Sequence, residues 1–180
     1  MKICLSRFNI ILLLLCCSAF TACQTTKQNP EETALRKKYK NEKTLLQLHL
    51  GGAANSSGRS IEIYRQKPIY VSVDPIPFLD WRNITDGRLV EDQSGFAIQL
   101  QFDAHGTFVL DTLTTANRGK PIAILAITGT EQRWLGAPLI HQRNASGFLT
   151  FTPDATREET ERMIYGIRNV AERVRKQTQF

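Results

Sequence analysis

The run FAIQLQFDAHGTFVLDTLTTANRGKPIAILAI, residues 96–127, changes its hydrophobic period twice. From Phe96 to Phe102 apolar residues alternate with Gln99 and Gln101 on the opposite face, the period of a half-buried strand. Asp103 suits a helix cap, and residues 105–117 carry Phe108, Val109, Leu113 and Ala116 near one helical face. Asn117-Arg118-Gly119 ends that helix, because Gly takes the left-handed conformation at little cost. Ile122 to Ile127 then runs apolar without a polar face, as a strand buried on both sides does.

Downstream, Thr156 and Glu159 have capping-box spacing. Met163, Ile164, Ile167, Val170, Ala171 and Val174 follow at helical spacing, with Arg, Lys and Glu on the other face, so the chain ends in an amphipathic helix. Upstream, Ile69 to Val73 reads as a strand stopped by Asp74-Pro75-Ile76-Pro77, and the stretch with Trp81, Ile84 and Asp86 reads as loop or short helix. Thr44 to Leu50 and Ser60 to Tyr64 alternate as two strands of a hairpin, joined by the loop Gly51 to Gly58. That loop has no Gly-Lys-Ser/Thr ending and joins strands, so it is no phosphate cradle. The elements add up to an α+β domain, a small mixed or antiparallel sheet with two helices packed on it.

The N-terminus is of another kind. Lys2 and Arg7 precede the apolar run Phe8 to Phe20 and the small residues that end at Ala22. That run of 13 residues is shorter than the roughly 20 of a membrane-spanning helix, so residues 1–22 read as a cleaved export signal. Phe20-Thr21-Ala22-Cys23 resembles the bacterial lipobox, with Phe20 in place of the usual Leu, and this implies acylation of Cys23. Gln24, rather than Asp, implies passage to the outer membrane by resemblance to the sorting rule of enteric bacteria. Cys4, Cys16, Cys17 and Cys23 are the four cysteines, so beyond residue 23 the chain has neither an internal disulfide nor a thiolate nucleophile.

Residues 23–43 read as a polar tether with the basic cluster Arg36-Lys37-Lys38-Tyr39-Lys40, part of it helical from Asn29-Pro30-Glu31-Glu32. Two of the 23 basic residues and none of the 17 acidic ones fall in residues 1–22, so the remainder carries a net charge of +4. In a periplasmic protein this mild bias points to anionic lipid or a protein surface and away from nucleic acid.

The order strand, helix, strand, strand, helix between residues 96 and 176 meets specific residues. Phe102-Asp103 with Gly106, Phe108 and Thr114, the turn Asn117-Arg118-Gly119-Lys120-Pro121 into Ile122, Ala137-Pro138-Leu139-Ile140, Gly147, Thr152 and Glu158-Glu159 carry the likeness. The segment resembles the periplasmic P1 head of SecD, the accessory subunit of the bacterial protein translocase, over about residues 69–175. It departs at Thr150-Phe151, where that family has a second Gly. SecD-like proteins also carry ionisable membrane helices that couple export to the proton gradient, and this chain has none, so the resemblance implies no motor. It implies a domain that contacts unfolded polypeptide or a protein partner without chemistry. The expected layout is a signal at 1–22, a tether at 23–43, an added hairpin at 44–68 and the P1-head-like domain at 69–176.

Two binding readings and one catalytic reading follow. The domain holds polypeptide by its sheet edge or loops, or it docks one folded envelope partner with Trp134, Leu135 and Pro138 as loop anchors. A hydrolase would have to use His105 or His141 beside a polar nucleophile. His49, His105 and His141 have no metal-ligand spacing, and neither Gly-x-Ser-x-Gly nor His-Glu-x-x-His occurs, so no metal, cofactor or catalytic residue is expected. Alanine at Cys23 should yield a soluble periplasmic form or uncleaved precursor on envelope fractionation. Unchanged membrane retention counts against the lipid anchor.

Overall fold

A computed structural model describes residues 30–52, 59–64, 67–92 and 95–178. The expected signal segment, residues 1–22, and Cys23 lie outside the described residues. By their internal contacts residues 1–34 and 35–180 form two units, and of the first only residues 30–34 are described.

The elements are α1 (Pro30–Lys38), β1 (Thr44–Leu50), β2 (Arg59–Ile63), β3 (Ile69–Val73), β4 (Leu79–Asp80), a 3-10 turn (Trp81–Asn83), β5 (Ile84–Asp92), β6 (Gly95–Phe102), α2 (Ala104–Ala116), β7 (Ile122–Thr128), β8 (Glu131–Gly136), β9 (Phe148–Phe151) and α3 (Arg157–Thr178). All pairings are antiparallel, in sheets of order β4-β1-β7-β8 and β5-β6-β9 and a separate β2-β3 hairpin. The α+β class expected from the sequence holds.

The hairpin expected within residues 44–68 does not form. β1 pairs with β7 along its whole length, from Thr44 opposite Thr128 to Leu50 opposite Ile122, while β2 pairs with β3. Alternation marks a strand but not its partner. Leu46 and Leu48 are fully buried, which suits β1 to a place inside a sheet. At Gly51 the chain leaves that sheet past Pro121, so closely that a Cβ there would sit 2.6 Å from Pro121 Cγ. The β2-β3 hairpin then covers the back of the main sheet, where Ile61, Ile63, Val73 and Ala123 form a second core with Trp134 at its side.

The short helix expected around Trp81 forms as the 3-10 turn Trp81–Asn83, but Ile84 and Asp86 belong to a nine-residue strand, β5, and not to a loop. A register shift between Ile84 and Asp86 breaks its alternation. Gly87 fills an inward position because Ile167 lies against it, a Cβ there being 3.3 Å from Ile167 Cγ2. β8 was likewise missed. It pairs back on β7 across Gly129-Thr130, with Gly129 at φ +63° in the first position of a two-residue turn.

Both expected helices form. Asp103 caps α2 by accepting from Gly106 N at 2.6 Å. Its buried line is Gly106, Leu110 and Thr114; of the expected face Val109 and Leu113 pack against the core, whereas Phe108 is 69% exposed and Ala116 is exposed. Close approach at Gly106, where a Cβ would meet Asn83 Cβ and Phe102 Cβ at 3.1 Å, selects the face. α3 begins with the expected capping box, Thr156 N donating to Glu159 Oε2 (2.9 Å) and Glu159 N to Thr156 Oγ1 (3.2 Å). Its apolar stripe joins strands of both sheets in one core.

The end of the tether is not solvated. Tyr39 is buried and stacks on Tyr165 at 5.6 Å between centroids. Asn169 Nδ2 donates to the carbonyls of Tyr39 (2.9 Å) and Glu42 (3.0 Å), with that of Lys40 at 3.3 Å. One aromatic among five bases leaves no trace in composition, so the sequence reads as spacer.

At Gly166 α3 meets β1 so closely that a Cβ would lie 2.4 Å from Thr44 Oγ1 and 2.8 Å from its backbone N. Alanine inside an exposed helix gains about 1 kcal/mol over glycine. Here the sign should reverse, with Gly166→Ala costing about 1–3 kcal/mol of unfolding free energy in urea.

Candidate functional site

Four segments converge on a groove of about 460 Å³ beside α2, lined among others by Thr114, Ile122, Pro138, Leu139, Phe148 and Thr150. Its wall is the chain from Pro138 to Ile140, zipped to the start of β7 by Ile122 N to Pro138 O and Ile140 N to Lys120 O, each 2.9 Å. Leu139 is 53% exposed and Phe148 37%, so the groove presents two large apolar side chains to solvent.

The loop beyond His141 is ordered by polar side chains. Arg143 Nε and Nη2 donate to the two oxygens of Asp111 at 2.5 and 2.8 Å, a bidentate bridge to α2. Asn144 N donates to Thr114 Oγ1 (2.9 Å), whose own proton goes to Leu110 O (2.8 Å), which explains a buried threonine in the inner line of α2. Asn144 then organises the turn by accepting from Ser146 N and Oγ and by donating to Phe148 O at 2.7 Å. Gly147, at φ +74°, closes it, and a Cβ there would lie 2.6 Å from Thr107 Oγ1.

This network shapes the edge of β9. Phe102 N donates to Gly147 O, so alternate residues, Leu149 and Phe151, turn their backbone groups to β6 and Phe148 and Thr150 turn theirs outward. Asn144 and Ser146 already hold the carbonyl and amide of Phe148. Among the described residues no strand pairs with this outer edge, and Thr150 is the position where it stays open.

Of the expected partner anchors, Pro138 alone lines the groove. Trp134 and Leu135 belong to β8, not to a loop. Leu135 is fully buried in the main core and cannot serve as an exposed anchor. Trp134 is half-buried and meets His49 edge-on at 5.2 Å. Leu139 and Phe148 were missed, although each directly follows a residue singled out from the sequence, Pro138 and Gly147.

The histidines stand in three different places. His49 is buried with Nδ1 2.8 Å from Asp74 O, His105 is exposed in the first turn of α2, and His141 is exposed at the groove. Ser146 shares the groove with His141, but its hydroxyl donates to Asn144 Oδ1 at 2.7 Å, not to an imidazole. That arrangement lacks the nucleophile–base hydrogen bond that activates a serine. Among the described residues no three His, Cys, Asp or Glu side chains gather at metal-binding geometry.

No family model and no curated protein sequence matches the chain. Solved structures do. A structure of SecDF, described as a membrane component that enhances protein export, aligns with 79% of this chain and 70% of its own at 19% identity and a TM-score of 0.53. SecDF in a super-membrane-facing form aligns over the same 79% at 19% identity and a TM-score of 0.54. The domain has a SecD-like fold. Of that second structure the chain spans only 21%, so the likeness concerns one part of a longer chain.

The Arg143 guanidinium beside Asp111 holds its carboxyl below the ordinary value of 3.8, chiefly by hydrogen bonding. A carboxyl with a lowered folded pKa stabilises above its unfolded pKa, and that contribution is lost as pH falls through the folded value. Asp111→Asn should therefore loosen the 141–147 loop at neutral pH, seen as faster amide exchange there. The difference from the unmodified protein should persist at pH 3.8 and vanish only at lower pH, as Asp111 itself protonates through its lowered folded value.

Proposed function

We propose that this chain is a periplasm-facing lipoprotein, acylated at Cys23, whose SecD-like domain binds an extended, apolar segment of polypeptide without enzymatic activity. The observation that carries the reading is the groove itself, with Leu139 and Phe148 exposed beside the open edge position at Thr150. An incoming segment would seat one apolar side chain between Leu139 and Phe148 and pair its backbone with Thr150. Shape and one backbone pair select extended chain over folded surface and leave side-chain identity loosely specified.

Support comes from several directions. The fold matches that of a protein-export component. Among the described residues no helix is long and apolar enough to cross a membrane, and two acyl chains on one cysteine are enough to hold a protein stably at a bilayer. Of the anchors for docking one folded partner, Leu135 lies in the core and Trp134 is half-buried, and the Ser146 hydroxyl beside His141 donates to Asn144 instead.

Thr150→Pro removes an outward N–H and leaves the ladder to β6 intact, as proline on a sheet edge does. Affinity of the purified chain for an unfolded outer-membrane protein should fall about tenfold in this variant, the worth of one backbone hydrogen bond. Thr150→Ala should bind as the parent does, and Leu139→Asp should abolish binding with little change in melting temperature. If Thr150→Pro and Leu139→Asp both bind normally, the groove is not the site.

A further inference from the structure

The seam where α1 meets α3 carries unpaired positive charge. Lys37, Lys40 and Lys43 are exposed on and just after α1, and Arg173 and Lys176 are exposed near the end of α3, none with an ion-pair partner among the described residues. Of the acids nearby, Glu172 pairs with Arg36 (2.7 Å), Glu158 with Lys38 (3.5 Å) and Glu42 with Arg162 (3.5 Å), while Glu31 and Glu32 stand in the first turn of α1, at the far end from its basic last turn. The bases therefore remain as net charge.

Asn169 turns these charges from a loose tail into a surface. Its amide grips the carbonyls of Tyr39, Lys40 and Glu42, and the Tyr39 ring is buried against Tyr165, so the backbone that carries Lys40 and Lys43 is fixed to the domain. Arg173 and Lys176 follow Asn169 by four and seven residues, which places them on the same flank of α3. None of the exposed large hydrophobics, Ile69, Tyr70, Ile76, Phe108, Leu139 and Phe148, belongs to residues 35–43 or to α3. A protein interface needs apolar anchors at its centre, whereas a headgroup layer needs only spaced positive charge.

We infer that this seam docks the domain on an anionic phospholipid bilayer, the membrane to which the proposed acyl anchor attaches the chain. Docking of a fixed patch sets the pose of the domain, and with it the direction in which the groove opens. Each lysine near such a surface is worth about a fivefold change in the docked-to-free ratio, and salt screens the attraction.

The test uses the full chain purified from membranes and reconstituted into vesicles of phosphatidylcholine alone or mixed with phosphatidylglycerol. The rate at which an amine-acylating reagent modifies each lysine is read by mass spectrometry. Lys37, Lys40, Lys43 and Lys176 should react several-fold more slowly on the anionic vesicles, with exposed Lys67 unchanged. About 1 M salt, where the screening length is about 3 Å, should erase the difference. Lys40→Gln should reduce the protection of Lys37 and Lys43 about fivefold. Equal rates on the two vesicles overturn the inference, as does protection by a soluble acidic polypeptide that the anionic vesicles fail to reproduce. Flotation with the neutral vesicles reports the anchor separately, so loss there together with protection on anionic ones removes the anchor and leaves the docking surface standing.

Discussion

The height of α3 above the two sheets is set by the meeting of Gly166 with Thr44, and most of the domain depends on that height. Thr44 is fully buried at the head of β1, with its hydroxyl 3.4 Å from that of Thr128 across the ladder. With no side chain at 166 the helix lies close enough for Met163, Ile164 and Ile167 to reach one core shared by strands of both sheets. Gly87 on β5 yields to Ile167 in the same way. Two glycines, one on the helix and one on a strand, thus replace side chains where contact is tightest, because packing at interior density leaves no room for both partners.

The second sheet is tied to the first at a corner as well as through the core. Asp154 N donates to Leu135 O at 2.7 Å, and Thr152 O lies against Gly136, so the chain leaving β9 covers the last two residues of β8. Edges left open invite pairing with other chains. On β9, Asn144 and Ser146 hold the start of the outer edge, which stays open at Thr150, beside the apolar groove.

Elements with one dominant signal were legible in the sequence. α3 combined an amphipathic stripe with a capping box, and β6, α2 and β7 followed from changes of period and from Asp103 and Gly119. What was not legible depends on partners far along the chain. β5 hides because a bulge and Gly87 interrupt its alternation, and the face of α2 hides because apolar residues flank it on both sides while contact at Gly106 makes the choice. The groove was legible only at Pro138. Leu135 and Leu139 are the same residue type four positions apart, and only the path of the chain, into β8 for one and over the start of β7 for the other, buries the first and exposes the second.

Asn169 also decides how the domain bears mechanical load. A pull on the chain at Leu35 arrives first at the Tyr39 ring and at the carbonyls that Asn169 holds, several residues before Thr44. The load therefore passes sideways into α3, an element of six turns seated on the core, before it reaches the end of β1. A strand peeled from its end loses its hydrogen bonds one pair at a time, whereas a helix drawn off its bed must give up its packed stripe together. The sheet that shapes the groove is in this way shielded from a pull on the chain before Leu35.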